Sequence, residues 1–178
     1  FGAGTLLVGQ TDSPLNEFYS TQVWETDNNL NKEGMIFQGR LAQIGLDFGG
    51  LKLALMTPVT QTTLLDSTGA AVTSADNDTT LPQVIAVYRF SSDLFSVKPF
   101  LGYAAYDFTT GVTSAAQQES IDSLVYGLTG RVNFGPAWFA ASVFAGDNVG
   151  NMGVTTRTSS NAVINAVDGK IEDNETLA

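Results

Sequence analysis

The sequence predicts an all-β fold, an antiparallel sheet built to cross a membrane as a barrel, and three observations predict it. No apolar run in the 178 residues approaches the ~20 that a membrane-spanning helix needs, so any span must be made of strands. Several stretches alternate apolar and polar side chains with a period of two. The connections between them alternate as well. Gly49-Gly50, Ser91-Ser92-Asp93-Leu94 and Gly135-Pro136 are tight turns, whereas about 11–39, 58–82, 109–122 and 147–178 are long. Long structureless connections are uncommon in compact soluble domains, but membrane barrels place brief turns on the periplasmic side and extended loops outside.

In chain order the strands are expected at Thr5 to Gln10, Arg40 to Phe48, Leu51 to Thr57, Gln83 to Phe90, Phe95 to Phe108, Ser123 to Phe134 and Ala137 to Gly146. The second sets Ala42, Ile44, Leu46 and Phe48 against Gln43, Gly45 and Asp47, and the third sets Leu51, Leu53 and Leu55 against Lys52, Ala54 and Met56. In the sixth, Leu124, Tyr126, Leu128, Gly130, Val132 and Phe134 share one face and Ser123, Val125, Gly127, Thr129, Arg131 and Asn133 the other. An apolar face for lipid and a mixed face for a lumen is the pattern a barrel wall requires. The fifth strand is less regular, because Pro99 in its middle predicts a bulge or a weakly paired position. Phe48, Phe90, Phe95, Phe134 and Trp138 lie within a few residues of tight turns, as in the aromatic girdle of a membrane interface.

Composition narrows the function. Charged residues make up 15% of the chain, against about 25% in soluble domains, so much of the surface is expected to meet something other than water. A formal charge of −10 argues against nucleic acid, whose phosphates require a basic face. Without cysteine or histidine the chain has no disulfide, no thiolate metal site and none of the commonest general base. No nucleophile elbow is present, and the Asp-rich run Ser74 to Asp78 lacks the spacing of a calcium loop. No enzyme activity, cofactor or metal is expected.

The charges separate by sign. All acids except Asp47 and Asp93 fall in or beside long connections, including Asp12, Glu17, Glu25, Asp27 and Glu33 in the first. Lys52, Arg89, Lys98 and Arg131 instead lie within strands near tight turns, on the face opposite the apolar one. A charge facing hydrocarbon at the midplane costs about 2–4 kcal/mol, so these four are expected to face water as a basic arc on the pore wall, a device that favours anions. The first connection also holds Phe18, Tyr19, Trp24 and Phe37. Part of it is expected to fold into the mouth, where Asp12, Glu17, Glu25 and Asp27 oppose the arc, or to pack against a neighbouring subunit.

The runs Gly4-Thr5-Leu6-Leu7-Val8-Gly9-Gln10 with Ser13-Pro14-Leu15, Phe48-Gly49-Gly50-Leu51-Lys52, and Phe134-Gly135-Pro136 leading to Asp147-Asn148-Val149-Gly150-Asn151 resemble the homotrimeric outer-membrane porins of sulfate-reducing and related deltaproteobacteria. The resemblance covers most of the chain. It implies a single transmembrane barrel domain of about 16 strands, of which residues 1–178 supply about seven. It further implies a trimeric diffusion pore in the outer membrane, in contact with lipid and lipopolysaccharide and passing small hydrophilic solutes or ions. Seven strands are too few to close such a wall, and Phe1-Gly2-Ala3-Gly4 has neither an initiator Met nor a leader, so the chain is expected to be a segment of a longer polypeptide. Two other architectures compete: a soluble extracellular β-sandwich such as an adhesin or surface-layer module, and a small structural barrel of about eight strands.

Overall fold

The computed structural model describes residues 4–16, 36–74, 76–79, 81–110, 117–154 and 160–178. It is all-β, and its main sheet follows the chain as an antiparallel meander. The long members are β1 (Thr5–Thr11), β2 (Leu41–Phe48), β3 (Leu51–Met56), β7 (Gln83–Tyr88), β9 (Phe95–Thr110), β10 (Gln117–Phe134) and β11 (Ala137–Asp147). Between them come β4 (Thr63–Leu65), β5 (Ala71–Thr73), β6 (Asn77–Asp78) and β8 (Phe90–Ser91), and after them β12 (Val163–Ile164), β13 (Ile171–Glu172) and β14 (Glu175–Leu177). The sheet order is β1-β2-β3-β7-β9-β10-β11-β14, with β6 and β8 also pairing to β9. Each of the seven expected strands has its counterpart.

The structure differs from expectation at the connections after 109 and 147, and at Pro99 it takes the second of the two expected forms, a weakly paired position. β10 begins at Gln117, so the connection expected over 109–122 contracts to 111–116. The segment from Gln117 to Ser120 has no apolar alternation to reveal it as strand; its pairing with Asp107, Phe108, Thr109 and Thr110 of β9 holds it extended. The region after 147 is not one loop, since β12 pairs with β13 and β14 returns to β11 through Ala145–Leu177 and Gly146–Thr176. Pro99 causes no bulge: β9 runs straight through it, opposite Leu128. On its other flank the ladder is interrupted between the Val87–Phe100 and Phe90–Val97 pairs, where the Arg89 amide donates instead to the Gly50 carbonyl. A proline has no N–H to offer a neighbouring strand, so the gap falls where it is least costly.

The two-residue β2–β3 turn needs positive φ at both centres, and Gly49 (55°) and Gly50 (108°) supply it. That turn fixes the register, and with it the face on which each side chain lies. One cross-strand row reads Leu6, Leu46, Leu53, Ala86, Leu101, Tyr126, Ala145 and Leu177, apolar across all eight strands. Its large members are bare, with Leu6 49%, Leu101 50% and Tyr126 51% exposed. Phe48, Phe90, Phe95, Phe134 and Phe139 stand on the same face toward the tight turns, and the Tyr88 and Phe90 rings meet edge to face at 4.4 Å. Trp138 does not join them. It pairs with Asn133 on the opposite face, where its ring lies 4.7 Å from the Arg131 guanidinium carbon.

The opposite face is covered. Met56, Ile85, Val87, Phe100, Ala104, Val125 and Phe144 of the sheet pack against Leu15, Ile36, Val149, Met152 and Val154 from the connections. A Cβ on Gly102 would lie 2.8 Å from Ile85 and 3.1 Å from Met152, so glycine here lets the covering segment pack closely without displacing those side chains. A second core, Leu64, Tyr106, Phe108, Ile121, Ala162 and Ile164, gathers beyond it, where the β4–β5 and β12–β13 hairpins meet at the Asp66–Ile164 bridge. The described residues form no closed barrel: β1 and β14 are the edges of an open sheet.

Candidate functional site

The covered face carries a row of polar and charged side chains between its apolar core and the tight turns. Asp47 and Lys52 flank the β2–β3 turn as a cross-strand pair, and Lys52 is opposite Val87, which is opposite Phe100 and then Gly127. Lys98 lies one row further toward the turns, opposite Thr129, and Arg131 one row further again, opposite Ser96. Parity of the strands therefore brings the expected bases to one side of the sheet and to neighbouring depths.

A cavity of about 550 Å³ opens on this face. Lys52, Arg89 and Lys98 line it together with Asp12 and Asp47, and Thr5, Ser13, Asn16 and Gln43 add neutral polar groups. The Lys52 ammonium is 3.3 Å from the Asp47 carboxylate, and Asp12 is 3.5 Å from Arg40. These pairs are substantially exposed, so each contributes little to stability. Among the described residues three cations and two carboxylates line the cavity, and Lys98 turns its charge to the carbonyls of the roof.

The roof of the cavity is the segment following β1. Gln43 Nε2 donates to the Thr11 and Asp12 carbonyls, both at 3.1 Å. Asn16 exchanges two hydrogen bonds with the Gln38 backbone, at 2.6 and 2.7 Å, and Gln38 Nε2 in turn donates to Gln83 and to the Met152 carbonyl. Lys98 completes the fastening. It is 4% exposed, and its ammonium donates to the carbonyls of Pro14 (3.1 Å), Leu15 (3.1 Å) and Asn16 (3.2 Å).

Among the expected site residues, then, Lys52, Arg89, Lys98 and Asp12 meet at one cavity. Arg131 stands outside it, half-buried against Trp138 with its Nε donating to Asn133 at 3.0 Å. Glu17, Glu25 and Asp27 lie outside the described residues. Asp47 was legible in principle, because a two-residue turn at 49–50 dictates that positions 47 and 52 face each other. Gln43 and Asn16 carried no comparable signal, since their partners are backbone carbonyls and amides brought up by the chain path. Among the described residues no group of acidic side chains could hold a metal ion. No protein-family model matches the chain, and neither a curated protein nor a solved structure matches it.

Proposed function

We propose that this chain forms part of the wall of an outer-membrane β-barrel that serves as a diffusion pore for small polar solutes or ions, with a preference for anions. The observation that carries the reading is the bare apolar row crossing all eight strands, backed by a polar cavity on the opposite face. Water does not sustain so broad an exposed apolar surface, whereas lipid requires one. The height of the band supports the same reading. Leu124 to Phe134 spans ten steps of β10, about 34 Å along the strand at ~3.4 Å per step. At a tilt of about 40° this is about 26 Å of height, and the apolar band of outer-membrane barrels is about 25 Å.

Lipid does not tolerate open strand edges, so in this reading β1 and β14 pair with further strands that close the barrel. The resemblance noted above adds assembly as a homotrimer. The test is extraction followed by reconstitution of the intact protein. Release from membranes only by detergent, with ohmic multi-level conductance in planar bilayers, is expected; release by salt alone would overturn the reading in favour of a soluble sandwich whose second sheet covers the apolar face.

A further inference from the structure

The geometry points to Lys98 as a positioning residue that clamps the 13–16 segment over the inner wall and thereby sets the width of the passage rather than its ion preference. A lysine ammonium has three N–H donors and no acceptor, and here three successive backbone carbonyls, of Pro14, Leu15 and Asn16, converge on it at 3.1–3.2 Å. Such a cation is costly to bury without partners, and its removal leaves the three carbonyls, that of Leu15 buried and the others half-buried, short of a strong donor. The clamp also has a fixed footing. Lys98 sits on β9, paired with β10 through Thr129, so the segment is fastened to the middle of the sheet.

Two neighbouring features show that this fastening organises the roof. Leu15, 1% exposed, is driven into the core beside Ile36, Met152 and Val154, so the segment is anchored by an apolar plug as well as by the ammonium. Asn16 then ties the same segment to Gln38, whose side chain reaches the Met152 carbonyl. Lys98, Leu15 and the Asn16–Gln38 link form one continuous strut between the wall and the covering segments. A lysine spent in this way is screened from the passage by the carbonyls that hold it, in contrast with Lys52, whose side chain is 52% exposed.

The conductance part of this inference rests on the diffusion-pore reading; the clamp itself does not. The test compares Lys98→Met, which keeps the length and apolar stem but removes the donors, with Lys98→Arg and Asn16→Ala. Hydrogen exchange of the intact protein in detergent is followed at the Leu15, Asn16 and Gln38 amides. Lys98→Met and Asn16→Ala are expected to speed these by tenfold or more while β10 stays protected, and Lys98→Arg to restore much of the protection. Asn16→Ala removes the acceptor of the Gln38 amide and calibrates the loss of that link alone; if Lys98→Met fails to fold, Lys98→Gln, which removes the charge but keeps a polar donor, is expected to speed the Leu15 and Asn16 amides and keeps the test decisive. In planar bilayers with potassium chloride, Lys98→Met is expected to raise single-channel conductance and open-channel noise with little shift in reversal potential. Unchanged exchange at the three amides, or a shifted reversal potential with unchanged conductance, would overturn the clamp and return Lys98 to the role of a wall charge. If the wild-type protein conducts nothing, the pore reading falls and the exchange result alone decides the clamp.

Discussion

Asp66 shows how much one side chain settles locally. Its Oδ1 accepts from the Thr68 amide (2.9 Å), the Thr68 hydroxyl (2.7 Å) and the Ala70 amide (2.9 Å), and so folds the tip of the β4–β5 hairpin. The Thr68 hydroxyl, followed by the Ala70 amide, holds its carboxyl below the ordinary value of 3.8. A lowered pKa in the folded state stabilises above the unfolded value and is lost as pH falls through the folded one. The Thr68 and Ala70 amide resonances are therefore expected to be constant above about pH 5 and to move with a midpoint below 3.8, with no such titration in Asp66→Asn. On the proposed diffusion-pore reading, Lys52 makes the corresponding residue-scale case. A unit charge a few Å from an ion in water is worth about 1 kcal/mol, so Lys52→Gln is expected to lower the anion-to-cation permeability ratio by up to about fivefold. Asp47→Asn should raise it, as read from reversal potentials in a salt gradient.

Strands β9, β10 and β11 illustrate what an element inherits from its neighbours. The apolar half of β10, Leu124 to Phe134, announces itself by alternation, but its first residues are held extended by pairing with Asp107 to Thr110 of β9. Local pattern is silent there because the strand has risen beyond the apolar band, and neither face is required to be greasy. The β10–β11 pair is also unusually close at Gly146, where a Cβ would fall 1.9 Å from the Leu124 carbonyl oxygen. Backbone cannot yield there as a flexible side chain would. Gly146→Val is expected to cost about 1–3 kcal/mol, the range for overpacking, and to lower the denaturant midpoint of the β-sheet circular dichroism signal. Gly130 has no neighbour closer than 3.9 Å to such a Cβ, so Gly130→Val should leave that midpoint nearly unchanged.

For the whole molecule the decisive contrast is between the two faces of one sheet. Leu128 stands near the middle of the bare band, between Pro99 and Val143. In lipid, Leu128→Arg is expected to cost about 2–4 kcal/mol, measured as the shift in unfolding free energy on reversible denaturation from bilayers. On a surface that faces water the same change would fall within about 0.5 kcal/mol, which makes this one substitution a test of the environment of the face. The sequence by itself determined the seven long strands, their tight turns and which side chains share a face, because a period of two and a glycine pair at 49–50 are local properties of the chain. Only the tertiary structure decided that Lys98 is buried under the carbonyls of Pro14, Leu15 and Asn16, that Trp138 leaves the aromatic girdle for Arg131, and that β14 returns to the edge of β11. The first and last of these depend on contacts between residues far apart in the chain, whose partners no local pattern names, and the Trp138 contact on the register of the β10–β11 hairpin.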